Sequence, residues 1–205
     1  AFAELIRTRP EAVIGLATGS TPEASYTELA RLHLDTGLSF SEVTSFNLDE
    51  YWGLGGGHNQ SYRYFMNDRL FQHIDIQPWN THVLNGKARF PELECRSFED
   101  SILAVGGIDL WLLGIGGNGH IAFNEPGSPV DSRTRLVSLS QETIASNSDG
   151  RFFSDPADVP RCALSAGIGT IREASALILL RRPAEAEAPL RDALALSPDY
   201  PDAHL

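Results

Sequence analysis

The residues whose types and spacing could do chemistry lie in three short stretches. The most specific is Gly114-Ile115-Gly116-Gly117-Asn118-Gly119-His120-Ile121-Ala122-Phe123-Asn124-Glu125-Pro126. Its glycines let the backbone turn sharply after an apolar run. His120 titrates near neutrality and can carry a proton in either direction. Glu125, leaving the same loop, offers a carboxylate that could hold the imidazole and support its charged form. The second stretch, Phe46-Asn47-Leu48-Asp49-Glu50-Tyr51, sends two carboxylates out of the end of an apolar run. An acid there can serve as general base or as a hydrogen-bond orienter, and a turn or helix-cap aspartate fits the motif equally well. The third is Leu16-Ala17-Thr18-Gly19-Ser20-Thr21-Pro22. Gly19 permits close backbone approach, Thr21 is placed to cap a helix, and Pro22 suits a first helical turn. Exposed N–H groups at such a start form an anion site, although a capped turn without ligand reads the same. No Gly-Lys-Ser/Thr follows, so this is not a Walker loop.

Other chemistries fit less well. The glycines of the first stretch do not give Gly-x-Gly-x-x-Gly ahead of an apolar helix, and the acid expected about 20 residues later is unconvincing. Arginines that could grip a phosphate with paired donors follow in Ser132-Arg133-Thr134-Arg135 and Arg151-Phe152-Phe153. For each a surface salt bridge is the plain alternative, least so for Arg151 beside two phenylalanines. Lys87 is the single lysine among 16 basic residues and sits in a turn-like Asn85-Gly86-Lys87, poorly placed for Schiff-base catalysis. Cys95 and Cys162 are isolated, with neither disulfide nor metal-ligand spacing, as in a reduced cytoplasmic protein.

These side chains need a scaffold. The 205 residues suffice for one large α/β domain, and the net charge of −11 argues against a nucleic-acid partner. No run approaches the roughly 20 apolar residues of a membrane span, and the opening AFAELIRTRPEAV has neither the apolar stretch nor the cleavage site of a signal peptide. It reads as the end of an amphipathic helix without an initiating Met, so an upstream segment is expected. Short apolar runs alternate with amphipathic stretches, the pattern of βαβ units and a largely parallel sheet. The strands expected are Ala12–Ala17, Val43–Leu48, Thr81–Leu84, Asp109–Ile115, Arg135–Leu139 and Ala176–Leu180. The helices expected are Glu23–Leu34, Gln60–His73, Pro91–Ala104 and a short one near Ile168–Ala174. Asp49–His58 and Gly116–Asp131 resist this scheme, are glycine-rich and follow strands directly, which is where open α/β sheets bind ligands. After Leu180 the chain changes to RRPAEAEAPLRDALALSPDYPDAHL, like part of a tetratricopeptide repeat. One partial repeat cannot build a solenoid, so a plain docked helix is the simpler expectation. The organisation expected is residues 1–180 as the α/β domain and 181–205 as a helical tail.

The stretches LATGSTP, SFNLDEYWGL followed by NQSYRYFM, GIGGNGHIAFNEPGS, SRTR and RFF resemble the glucosamine-6-phosphate deaminase family, and less closely the related 6-phosphogluconolactonases. The resemblance runs from about Ala1 to Leu180. It implies a modified doubly wound, mostly parallel sheet flanked by helices, with no metal or organic cofactor. It implies aldose–ketose isomerisation with deamination of glucosamine 6-phosphate to fructose 6-phosphate and ammonia, with a sugar phosphate as the small-molecule partner and a homo-oligomer possible in such a family. Asp49 resembles the base that moves a proton between C2 and C1, and His120 the group that assists ring opening. Glu125 and Asn118 resemble the partners that orient and charge-balance His120; many family members carry aspartate at the position of Asn118. Thr18, Gly19, Ser20 and Thr21 resemble the phosphate loop, with Arg151 as cationic clamp. Where the family places a last phosphate-binding lysine, this chain reads Arg181-Arg182-Pro183, and the family's first and final strands have no counterpart here. A lactonase-like hydrolase and a non-catalytic sugar-phosphate binder are the alternatives.

Overall fold

The computed structural model describes residues 1–116, 118–148 and 153–180. A five-stranded parallel sheet runs through its centre, formed by β1 (Val13–Leu16), β2 (Thr44–Asn47), β4 (Thr81–His82), β5 (Leu110–Gly114) and β8 (Leu177–Leu180) in the order β4-β2-β1-β5-β8. The inner strands β1 and β5 are continuous apolar or small-residue runs because a parallel sheet is covered on both faces. Successive side chains point to opposite faces, and the two cores divide accordingly. Ile14 and Leu16 pack with Tyr26, Leu29, Met66 and Leu70 on one face. Val13, Phe46, Trp111 and Leu113 pack with Cys95, Phe98 and Ile102 on the other. Each large apolar side chain buried this way contributes about 1.5–3 kcal/mol.

The helices supply those covering faces. α1 (Phe2–Thr8) and α2 (Glu23–Thr36) bury Phe2, Ile6, Tyr26 and Leu29, and α2 stops at Gly37, whose φ of 68° ends it in the left-handed cap. α3 (Tyr62–Arg69) begins at Ser61, whose side chain accepts the Tyr64 N–H, and tightens after Leu70 into a 3-10 turn over Phe71–His73. The expected helix Gln60–His73 is therefore two segments. α4 (Pro91–Ala104) has the bounds that its apolar spacing predicts, with Pro91 in its first turn. Among the described residues no helix is long and apolar enough to cross a membrane.

A second, smaller sheet departs from expectation. β3 (Asp49–Trp52), β6 (Arg135–Ser138) and β7 (Cys162–Ser165) form an antiparallel sheet in the order β3-β7-β6. Arg135–Leu139 is thus correctly a strand but belongs to this sheet rather than the parallel one, since hydropathy cannot report strand direction. Asp49–Trp52, expected to be irregular, is also a strand: its two carboxylates mask a segment whose Tyr51 packs into a third core with Phe123, Leu139, Ile144, Phe153 and Ala163. α5 (Gln141–Asn147) and α6 (Ile168–Arg172) complete the described elements. The tail 181–205 lies outside the described residues.

The strand order fixes where a site can form. From β1 the chain steps outward through β2 to β4, then returns to the opposite side of β1 as β5 and continues to β8. The order reverses between β1 and β5, and a crevice at the carboxyl ends of strands at such a switch point is the default ligand site of an open α/β sheet. The three chemistry-bearing stretches follow β1, β2 and β5, which are neighbours.

Candidate active site

The loop after β1 is set by a residue that sequence reasoning passed over. Tyr26, fully buried on α2, donates its hydroxyl proton to the Ala17 carbonyl and accepts the Ala17 N–H at 3.1 Å. This ties down the exit of β1 just ahead of Thr18. Gly19 then adopts φ 97°, a region disfavoured for residues with a Cβ. The expectation that Thr21 caps the following helix does not hold. Pro22 occupies the cap position with helical φ and ψ and, having no polar side chain, makes no cap hydrogen bond. Proline carries no N–H and is preset near helical φ, so it takes that place. Thr18 and Gly19 line a cleft of about 180 Å³ together with Asn59, Gln60, Ser61, Tyr62 and Phe65, from the start of α3 and the residues before it, and Asn147 of α5.

Asp49 opens β3 with a single residue, Leu48, between it and β2. Leu48 belongs to both sheets through its backbone: its N–H donates to Leu16 and its carbonyl accepts from Ala166. Asp49 pairs with Ser165 in the antiparallel ladder and is 6 % exposed. Burial, reinforced by the charge of Glu50, pushes its carboxyl well above the ordinary range. Among the described residues no donor reaches the Asp49 side chain, whereas Glu50 accepts backbone N–H groups from Tyr51, Tyr62 and Arg63 at 2.8, 2.9 and 3.0 Å. The acid pair read from the sequence therefore splits into a desolvated group and an anchored one.

His120, Asn118 and Glu125 form a chain of hydrogen bonds. Asn118 Oδ1 lies 2.7 Å from His120 Nδ1 and accepts the His120 N–H at 3.1 Å, and Asn118 Nδ2 donates to Glu125 Oε2 at 2.8 Å. An ionised carboxylate only accepts, so Glu125 requires the amide NH₂, which turns Oδ1 towards the ring. Nδ1 must then carry the proton, and Nε2 is left as the atom that can exchange one. The sequence suggested that the carboxylate would hold the ring; instead the Asn118 amide stands between them. Ser140 donates to Glu125 at 2.9 Å and the Thr143 hydroxyl also donates to it. Burial raises the Glu125 pKa, but the bonds from Thr143, Asn118 and Ser140 outweigh it and hold the group below its ordinary value. Burial lowers the pKa of His120 against the opposing charges of Glu125 and Glu142. The ring rests on Gly116, where an added Cβ would come within 2.2 Å of Cε1, so only glycine fits there.

The loop is pinned to the smaller sheet. Asn124 donates to the Ala166 carbonyl at 2.7 Å and accepts from Arg135 at 2.8 Å, and the Phe123 N–H donates to Ser165 Oγ at 3.2 Å. Ser165 is the ladder partner of Asp49, so one residue of β7 touches both the Asp49 strand and the His120 loop. Ala122, at φ 53°, carries the local backbone strain. Asn124, Arg135, Ser140, Thr143 and Ser165 gave no sequence signal for these roles, because each acts through a contact distant in the chain. Arg151 lies outside the described residues.

A family model described as glucosamine-6-phosphate isomerases/6-phosphogluconolactonase matches residues 1–202. Glucosamine-6-phosphate deaminase 1 of Giardia intestinalis is 56% identical over 180 residues, covering 87% of this chain and 67% of its own length. The glucosamine-6-phosphate deaminase of Shewanella woodyi is 51% identical over 179 residues, with the same coverage of 87% and 67%. A solved monomeric glucosamine-6-phosphate deaminase superposes with a TM-score of 0.84 at 46% identity, over 87% of this chain and 73% of that one. The 6-phosphogluconolactonase of Thermotoga maritima has a TM-score of 0.70 at 21% identity, over 96% of this chain and 85% of that one, which shows a shared fold. With the doubly wound sheet, these likenesses lead to one conclusion: the chain belongs to the family of glucosamine-6-phosphate isomerases and 6-phosphogluconolactonases.

Proposed function

We propose that the chain converts glucosamine 6-phosphate to fructose 6-phosphate and ammonia. The observation that carries this reading is that the segments leaving the neighbouring strands β2, β1 and β5 carry, in turn, a desolvated carboxylate at the start of β3, the Gly19 turn that enters α2, and a histidine of fixed tautomer. The names of the relatives at 51–56% identity support the deaminase over the lactonase.

In this scheme the phosphate lies at Thr18, Gly19, Ser20 and Thr21, with Arg151 as its cationic clamp. His120, oriented by Asn118 and Glu125, moves a proton at the ring oxygen through Nε2, and the pyranose opens to the aldehyde. Asp49 takes the proton from C2 while the C2 ammonium passes one of its own to O1, giving an enolamine, and Asp49 returns its proton to C1. The product is an imine at C2. Water adds to that carbon and ammonia leaves, so one water is consumed for each ammonia released. Asp49 suits this task because burial makes it a stronger base than an ordinary carboxylate, and a base is most effective when its pKa approaches the working pH. The steps are proton transfers and a hydrolysis and call for no metal or organic cofactor. Every residue named belongs to one chain, so a homo-oligomer would multiply sites rather than complete them. A phosphorylated sugar is held in the cytoplasm, and we place the reaction there.

The test is direct. The 205-residue chain is given glucosamine 6-phosphate, and ammonia and fructose 6-phosphate are measured by separate coupled assays, with 6-phosphogluconolactone as a parallel substrate. Equal amounts of both products support the proposal. Lactone hydrolysis without ammonia release would make the chain a lactonase, and binding without turnover would make it a sugar-phosphate binder.

A further inference from the structure

Glu50 is 1 % exposed, and its neighbour in β3 is the proposed base. Adjacent strand residues face opposite sides of a sheet, so Glu50 is directed away from Asp49, towards α3. There it takes the N–H groups of Tyr62 and Arg63, the first two residues of that helix, while Ser61 takes the third, from Tyr64. Its Oε1 also accepts the Tyr51 N–H of its own strand. Burial raises the Glu50 pKa, against the pull of these three N–H groups and of the Arg63 charge; donors directed at both oxygens favour the ionised form, as does a helix N-terminus. The clamped turn is part of a cleft wall: Ser61 and Tyr62 line it together with Thr18 and Gly19.

We propose that Glu50 is a positioning residue for the reaction, clamping the first turn of α3 to the strand that carries Asp49 and holding a fixed negative charge one peptide away from it. This rests on the proposed role of Asp49. The groups facing the pair are few. Tyr51 belongs to the same strand; Tyr62 and Arg63 come from α3, with the Arg63 guanidinium turned onto the Thr81 hydroxyl and carbonyl. From the loop after β4, Gly86 approaches Glu50 Cγ with backbone alone. The Glu50 charge is the second cause, after burial, of the raised Asp49 pKa. Glu50 thus acts on the reaction in two separable ways, by geometry through α3 and by charge through Asp49.

Two substitutions separate them. Glu50→Gln removes the charge and leaves one acceptor oxygen, so the Arg63 N–H faces an NH₂ group. Glu50→Asp keeps the charge but withdraws it by one methylene from α3. The Asp49 carboxyl is titrated by carboxyl-¹³C NMR, assigned by its loss in Asp49→Asn, and KM for glucosamine 6-phosphate is measured alongside. We expect the Asp49 midpoint to move to lower pH in Glu50→Gln and to stay near the parental value in Glu50→Asp. We expect KM to rise about tenfold in both, the scale of a lost hydrogen bond to a charged group. An unmoved midpoint in Glu50→Gln overturns the charge role, and parental KM in Glu50→Asp overturns the clamp. If Glu50→Gln does not fold, Glu50→Asp decides through KM alone. If the parent releases no ammonia, the functional reading fails by itself; the NMR midpoints still judge the charge role, and the affinity for glucosamine 6-phosphate measured by calorimetry replaces KM in judging the clamp.

Discussion

On β3 the proposed base is held by backbone; in the loop after β5 the proposed proton carrier is held by side chains. Asp49 belongs to an antiparallel ladder with β7, and its neighbour Glu50 is fixed by three backbone N–H groups. His120 leaves an irregular segment and depends on Asn118, Glu125, Ser140 and Thr143 in series. The first arrangement positions a group while leaving it almost undressed, which keeps its basicity high. The second dresses the group fully and selects one tautomer. A strand can present a bare, costly carboxylate because the ladder bears the ordering; a glycine loop has no ladder and must be held by polar contacts.

The largest expected effect is at the bare group. Asp49→Asn should reduce ammonia release by about 10²–10⁴, the usual value of a general base, with sugar-phosphate binding largely kept. Near-parental release would return Asp49 to a turn residue. The same substitution should stabilise the fold. A carboxyl with a raised folded pKa contributes stability at low pH that is lost as pH rises through that pKa, so at neutral pH the buried Asp49 is a net cost. Calorimetry should show a higher Tm, by roughly 2–4 °C for each kcal/mol recovered in a chain of this size.

The pH profile should follow from the same group. Activity should fall on the acid side as Asp49 gains a proton, and burial with Glu50 moves that fall above the ordinary carboxylate range. His120, its pKa lowered by burial, should take up its proton only below the ordinary imidazole range. A limb at ordinary carboxylate pH would contradict the desolvated base.

On the dressed side, His120→Gln should cost about 10² on the closed pyranose and less on a ring-opened analogue. Equal losses on both would assign His120 to another step. Asn118→Ala breaks the chain between ring and carboxylate. A loss of about tenfold or somewhat more, the worth of a charged hydrogen bond, is expected in kcat. Smallest is Thr143→Val, which removes one of three side-chain donors to Glu125; a few-fold loss in kcat is expected, and a loss as large as that of Asn118→Ala would mean that the donors are not redundant.

What the amino-acid sequence determined by itself is local and periodic. The apolar runs around Ile14, Phe46 and Leu112 declared buried parallel strands, and Cys95, Phe98 and Ile102 declared α4 to its last residue. Gly116, Asn118, His120 and Glu125 lie within ten residues of chain, so their association was legible in one loop. The tertiary structure decided what depends on distant contacts. Whether Arg135–Ser138 runs parallel or antiparallel is set by its partner β7, not by its own alternation. Asp49–Trp52 is a strand because the β7 ladder and the Tyr51 core outweigh the poor strand preference of two acids. Thr21 was displaced from its capping role by the chain entering α2 one residue later. The two adjacent acids look equivalent in sequence; only the approach of α3 gives Glu50 two of its three donors, while Asp49 is left in a dry setting, because a pKa follows from solvent and neighbours rather than from residue type.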